Sequence, residues 1–273
     1  MTRLGQHFLA DRNILRKIVA ALDPQPDDVV IEIGPGRGSL TAILAPVVSR
    51  VIAIEKDPRL AAELGGRGTG EGGRVSLVEG DALALDWHEL VSHFTAVPVP
   101  LPPSPFPSFK VIGNIPYYIT SPLIEKALTP PLPSCVVFLV QREVADRLAA
   151  APGTTRYGAL SVGVQAVCRV EKLFVVKAGA FRPAPRVDSA VIRFTPRADP
   201  LIAPGEAAAF RAFVSACFSR RRKQLRNAVM AATGWRAAAV SALLAGLGLE
   251  PAARPETLGA EAFVRLLRGS REL

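Results

Sequence analysis

The sequence predicts a doubly wound α/β domain followed by a small domain built only of helices. Three observations carry this. Short β-branched runs of strand length recur through the first two-thirds of the chain. Stretches of helical period lie between them. From Pro204 onward the composition turns Ala-, Leu- and Arg-rich, with helical periods and no strand candidate.

The strand candidates, in order, are Val29-Val30-Ile31, Val51-Ile52-Ala53-Ile54, Val75-Ser76-Leu77-Val78, Val111-Ile112 and Val136-Val137-Phe138-Leu139-Val140. Most are apolar at consecutive positions, so both faces need cover, as in a parallel sheet between helix layers. Ile14 to Leu22, Pro58 to Leu64 and Pro122 to Leu128 have the matching helical periodicity. Leu173 to Val176 and Ala190 to Phe194 can add an antiparallel edge. Val97 to Pro107 carries six prolines in eleven residues and reads as a stiff, exposed, polyproline-like loop. Glycines 234, 246 and 248 and prolines 251 and 255 punctuate the helical region. The domain limits expected are 1–198 and 199–273, and no internal repeat is present.

At 273 residues and 49% hydrophobic content the chain is a packed globular protein, which excludes a disordered one. A net charge of +9 and a pI near 10.0 suit a polyanionic partner. No apolar run approaches the ~20 residues of a membrane span. Met1-Thr2-Arg3-Leu4-Gly5 has no signal-peptide core, so a cytoplasmic location is expected. Cys135, Cys168 and Cys217 each sit among apolar residues and read as buried hydrophobes of a reducing compartment. With three histidines and no clustered Cys/His spacing, no metal site is expected.

Val30-Ile31-Glu32-Ile33-Gly34-Pro35-Gly36-Arg37-Gly38 is a strand running into a glycine-rich turn, with the helix-like Leu40 to Leu44 behind it. Glycines there let backbone approach a ligand closely. Glu55 closes the next strand, where an acid can accept both hydroxyls of a ribose. Asp81, after the third strand, is placed to receive an adenine amine. The dinucleotide fingerprint G-x-G-x-x-G would need glycine at 39, where Ser39 stands. The G-x-G-x-G spacing therefore favours an adenosine ligand without a pyrophosphate, S-adenosylmethionine over NAD. The ordinary alternative for Glu55 and Asp81 is solvated residues at strand ends.

Asn114-Ile115-Pro116-Tyr117 follows the fourth strand. An amide, a proline-stiffened turn and an aromatic ring in a row can grip a planar amine. The amide oxygen accepts from the amine, Pro116 fixes its direction and the ring stacks on a base. Asn and Pro at a strand end also commonly make a plain turn.

Taken together these segments resemble the ribosomal RNA adenine dimethyltransferase family, most closely its KsgA (RsmA) type acting on small-subunit 16S rRNA. The match runs over nearly the whole chain. It includes Gly5-Gln6-His7-Phe8-Leu9, the glycine loop through Ser39-Leu40-Thr41, Gly80-Asp81-Ala82-Leu83 and Asn114-Ile115-Pro116-Tyr117-Tyr118. It continues through Gln141 to Ala145, Tyr157-Gly158, Phe181 to Ser189 and Phe218 to Asn227. The resemblance implies a Rossmann-like class I methyltransferase sheet, S-adenosylmethionine as donor and S-adenosylhomocysteine as product. It places His7, Leu9, Gly34, Gly36 and Gly38 at the methionine end, Glu55 on the ribose and Asp81 on the adenine. Asn114, facing both cofactor and substrate, holds the target amine, and Tyr117 and Phe181 sandwich the extruded adenine. Phe8 and Leu9 as a hydrophobic staple and Phe181 as an edge-strand core residue are the ordinary alternatives.

Ser219 to Arg226 packs five cations, Arg220, Arg221, Arg222, Lys223 and Arg226, into eight residues without acidic partners at i+4. Charge runs are usually solvated helix faces, but this one suits RNA phosphates. Arg265, Arg268 and Arg271 can extend it. Three functions compete: a small-subunit rRNA dimethyltransferase active during subunit assembly, a large-subunit enzyme of macrolide-resistance type, and a non-catalytic RNA-binding or assembly factor.

Overall fold

The computed structural model describes residues 7–66, 73–95, 109–219 and 223–271. The proline-rich run at 97–107 and the cations Arg220, Arg221 and Arg222 lie outside them. The described strands are β1 (Phe8–Leu9), β2 (Val29–Ile33), β3 (Arg50–Glu55), β4 (Val75–Glu79), β5 (Phe109–Asn114), β6 (Cys135–Gln141), β7 (Cys168–Val176), β8 (Phe181–Arg182) and β9 (Ser189–Pro196). Seven form one sheet in the order β4-β3-β2-β5-β6-β9-β7. β4, β3, β2, β5 and β6 run parallel, and β9 adds antiparallel to β6. All seven expected strands are present, and the two late ones form the sheet edge.

The helices α1 (Arg12–Ala21), α2 (Thr41–Leu44), α3 (Pro58–Gly66), α4 (Trp87–Thr95), α5 (Thr120–Ala127) and α6 (Arg142–Leu148) follow or precede these strands. Local chemistry sets their ends. The Asp11 carboxylate accepts from the amides of Asn13 and Ile14 at 2.8 and 3.1 Å, capping α1. Leu15, Ile18 and Val19 of α1 bury one face in a core cluster that also holds Val30, Leu44, Val51 and Ala53. β2 is buried at every position because helices cover it on both sides.

Strand order puts a switch point between β2 and β5. The chain moves outward through β3 and β4, then returns to the other side of β2, so a crevice opens at the carboxyl ends of β2 and β5. Register makes this concrete. Ile33 pairs with Gly113 and with Ile54, so the residues that follow, Gly34, Asn114 and Glu55, emerge side by side. A second, two-stranded ribbon joins β1 to β8, pairing Phe8 with Arg182 and Leu9 with Phe181.

The chain divides into two compact units, residues 1–145 with 171–196, and residues 146–170 with 197–273. The second gathers α7 (Ala159–Gln165), α8 (Ala207–Phe218), α9 (Leu225–Thr233), α10 (Ala237–Gly246) and α11 (Ala260–Gly269). Its interior holds Tyr157, Phe210, Phe218, Val229, Leu244 and Phe263, with Phe218 between the rings of Tyr157 and Phe263. Where the composition shift marks a single boundary near 198, this unit also draws in an earlier stretch of chain. All three cysteines are buried. Among the described residues no single helix is long and apolar enough to cross a membrane.

Candidate functional site

A cleft opens at the switch point, lined by His7, Phe8, Gly34, Gly36, Glu55, Asn114, Ile115, Pro116, Tyr117 and Phe181. A smaller one lies beside it and is lined by Leu9, Glu32, Gly34 to Arg37, Ser39, Leu40 and Asn114, among others. Eight of the eleven catalytic and cofactor candidates named from the sequence therefore meet in one place, and no lysine or arginine lines the larger cleft among its described residues.

The glycine loop is shaped by backbone conformation. Gly34, Gly36 and Gly38 have φ of +66°, +56° and +77°, a region that costs an L-residue 1–2 kcal/mol or so. At Gly36 a Cβ would also stand 2.9 Å from the Phe8 ring. Gly38 faces elsewhere, its missing Cβ making room for Leu64 of α3 at 2.7 Å, so it shapes the loop without lining the larger cleft. Glu55 is 4% exposed and already fixed, accepting from Gly36 N at 3.0 Å and Asp57 N at 2.9 Å.

Asn114 closes β5 and is oriented by its own amide. Nδ2 donates to the His7 carbonyl at 2.9 Å, while Oδ1 accepts no hydrogen bond among the described residues. His7 is itself tied down, its Nδ1 donating to the Pro183 carbonyl at 2.8 Å. Its contribution to the cleft is thus a main-chain acceptor as well as a ring, the latter 6.1 Å from that of Tyr117. The Tyr117 hydroxyl shares a 2.9 Å hydrogen bond with Ser189, which locks the ring's angle. The Pro116 carbonyl is occupied by Ile119 N at 3.1 Å and Thr120 Oγ1 at 3.4 Å. Phe181 is 1% exposed, packs in the core cluster and still lines the cleft.

The ribosomal RNA adenine dimethylase family model matches residues 1–247. The chain belongs to the ribosomal RNA adenine dimethylase family. It is 39% identical to a Ribosomal RNA small subunit methyltransferase A of Geobacter metallireducens, over 99% of this chain and 95% of that one. It is 43% identical to one of Nitratidesulfovibrio vulgaris, over 96% and 93%. Among solved structures, a dimethyladenosine transferase from Plasmodium falciparum superposes with a TM-score of 0.81 at 29% identity, covering 97% and 98% of the two chains. The 23S rRNA methyltransferase ErmE gives 0.72 at 27%, covering 97% and 99%. The protein is an rRNA adenine dimethyltransferase of class I methyltransferase fold that uses S-adenosylmethionine as methyl donor.

Within this family frame two of the expected residues stand apart from the larger cleft. Leu9 is 5% exposed and lines the smaller one. Asp81 lines neither, and its carboxylate is engaged: Oδ2 lies 2.7 Å from the Lys56 ammonium and Oδ1 accepts from Leu83 N at 2.9 Å. The Lys56 hydrogen bond holds the Asp81 carboxyl below its ordinary range. A purine amine reaching Asp81 meets carboxylate oxygens that each keep a second lone pair.

Sequence reasoning passed over Glu32. It is 1% exposed in the middle of β2, accepts from Thr41 Oγ1 at 2.7 Å and borders the smaller cleft. Burial pushes its carboxyl up to about 7, and the Glu55 charge adds to this. The signal was an acid inside an otherwise apolar strand. Nor does the sequence signal the part of Ser189, whose hydroxyl partners that of Tyr117.

In the second unit Lys223 is exposed and Arg226 half-buried, its Nε buried with no hydrogen-bond partner among the described residues. Arg268 grips Glu206 through Nε at 3.2 Å and a terminal nitrogen at 2.8 Å, and reaches the Leu201 carbonyl at 3.1 Å. It is committed within this unit. Arg271 lies 3.9 Å from the same carboxylate.

Proposed function

We propose that this enzyme transfers methyl groups to the exocyclic amines of adenosines in small-subunit rRNA, giving N6,N6-dimethyladenosine in an assembling small subunit in the cytoplasm. The observation that carries the residue roles is the orientation of Asn114. One N–H of its NH2 donates to the His7 carbonyl, and Oδ1, which accepts no hydrogen bond among the described residues, is the acceptor left at the cleft. The fit to the methyl donor rests on the cleft's chemistry: a buried carboxylate for a ribose and glycine backbone at close approach. Gly34, Gly36, the His7–Leu9 strand and Glu55 would hold the donor, with Asp81 toward its adenine.

S-adenosylmethionine supplies an electrophilic sulfonium methyl group and leaves as S-adenosylhomocysteine once that methyl has moved to the adenine nitrogen. The protein's task is to make a poor nucleophile attack. An adenine amine has its lone pair conjugated into the ring. A hydrogen bond from that amine to Asn114 Oδ1 favours a pyramidal nitrogen. The Ile115 carbonyl is the second acceptor in this scheme, because that of Pro116 is already taken twice. Tyr117 and Phe181 hold the extruded base by stacking, which offsets an unstacking cost of a few kcal/mol. No strong base is needed, since the nitrogen becomes acidic after it gains the methyl. Positioning supplies most of the acceleration. The exposed Lys223, with Arg220, Arg221 and Arg222, is assigned to RNA phosphates.

The test combines labelled S-adenosylmethionine with undermethylated small subunits, large subunits and naked RNAs, and maps dimethyladenosine by mass spectrometry. Label in small-subunit RNA is expected, and label confined to large-subunit RNA overturns the substrate. In parallel, Asn114→Ala should keep donor affinity within a few-fold while losing most transfer. Undiminished turnover would remove Asn114 from its role.

A further inference from the structure

Tyr118 stands out against the other aromatic residues. Among the described phenylalanines, tyrosines and tryptophans it is the one that is largely solvent-exposed, at 61%. A single exposed ring on a protein surface usually means nothing. Its position is what gives this one meaning. It is the middle residue of the one-turn 3-10 helix Tyr117–Ile119, directly after the ring that lines the cleft. Successive side chains on such a turn diverge by about 120°. Tyr117 is held at the cleft by Ser189, so Tyr118 is directed out of it, at the rim.

We infer that Tyr118 is a stacking platform for the nucleotide adjoining the extruded adenine, and so a positioning residue for the RNA strand. The inference rests on the reading that Asn114 and Tyr117 hold that adenine. Extruding a base strips its neighbour of one stacking partner. An aromatic face beside the cleft replaces it for any base, because every base has a π-face. Neighbouring Cα atoms are about 3.8 Å apart, so two diverging rings can serve consecutive nucleotides, Tyr117 the target and Tyr118 the next.

The test uses the full-length enzyme with Tyr118→Ala, Tyr118→Phe and Asn114→Ala. Kinetics are run on undermethylated small subunits, and binding on an RNA carrying 2-aminopurine beside the mapped target. Tyr118→Ala should raise KM for RNA about tenfold, the equivalent of about 1.4 kcal/mol and within the range for one base–aromatic stack. It should leave kcat and donor affinity within twofold. Tyr118→Phe should restore KM. The 2-aminopurine in the complex should be quenched with wild type and Tyr118→Phe, and bright with Tyr118→Ala. Unchanged KM and quenching in Tyr118→Ala overturn the inference. So does weakened donor binding with unchanged RNA KM, which would make the ring a cover for the donor. Asn114→Ala separates the two readings: it should lose turnover while keeping the quench, and full turnover there refutes the amine grip itself.

Discussion

Glu32→Gln is the substitution whose effect can be worked most directly from the structure. The wild-type carboxyl is buried in β2, hydrogen-bonded to Thr41, and titrates at about 7 in the folded protein against an ordinary 4.5. Between those two values only the folded state holds the proton, so stability falls as pH rises through that window. Each pH unit of displacement is worth 1.36 kcal/mol, which makes the full cost about 3 kcal/mol above pH 7. Below pH 4.5 both states are protonated and the cost vanishes. Glutamine keeps an oxygen for Thr41 and cannot ionise. Its buried NH2 adds a penalty of about 1–3 kcal/mol, but one that does not change with pH. The readout is therefore the difference between variant and wild type across pH, from urea unfolding at pH 4.5, 6, 7 and 8. Glu32→Gln should gain about 3 kcal/mol relative to wild type over that range, on the order of 6–12 °C in Tm at this chain length. A difference that stays flat with pH would show that Glu32 is ionised throughout and refute the assignment.

Two further outcomes follow from other parts of the molecule. Gly36→Ala combines a φ of +56° with a Cβ placed 2.9 Å from the Phe8 ring, so a loss of about 1–3 kcal/mol is expected by thermal unfolding. Donor affinity, read by calorimetry, should fall with it because Phe8 lines the same cleft. Replacing Arg221 and Lys223 by alanine should weaken RNA binding and reduce the slope of log K against log salt by about 2. An unchanged slope would detach that strip from RNA.

The central sheet was legible because its strands are apolar on both faces, which few other local structures demand. Helix α4 was not foreseen: its sequence Trp-His-Glu-Leu-Val-Ser-His-Phe-Thr buries only Trp87 and Val91 and mixes polar residues between them. The two-residue strands β1 and β8 have no local pattern, since their pairing joins positions more than 170 residues apart. The share of the helical unit at 146–170 was hidden for a similar reason, lying ahead of the β7–β9 edge while the composition changes only after it. Types of residue in the cleft were readable from the chain, because Gly34, Glu55 and Asn114 end adjacent strands. Their existing partners were not. The His7 carbonyl that turns Asn114, the Ser189 hydroxyl that holds Tyr117 and the Lys56 ammonium on Asp81 are all tertiary contacts.

The β1–β8 ribbon also sets a timetable. Leu9 leaves the ribosome early, but its partner Phe181 is made 172 positions later, roughly 10–35 s at ordinary elongation rates. During that interval a growing chain already contains its glycine loop, Glu55 and Asn114. It has nothing yet to hold the His7 carbonyl that aims the amide, or the ring that closes the wall. On the proposed site roles, activity is expected as a late step of synthesis, with the strand that completes the N-terminal ribbon. Ribosome-stalled chains ending before residue 181 should retain no labelled methyl donor on a filter, and chains released past residue 196 should begin to.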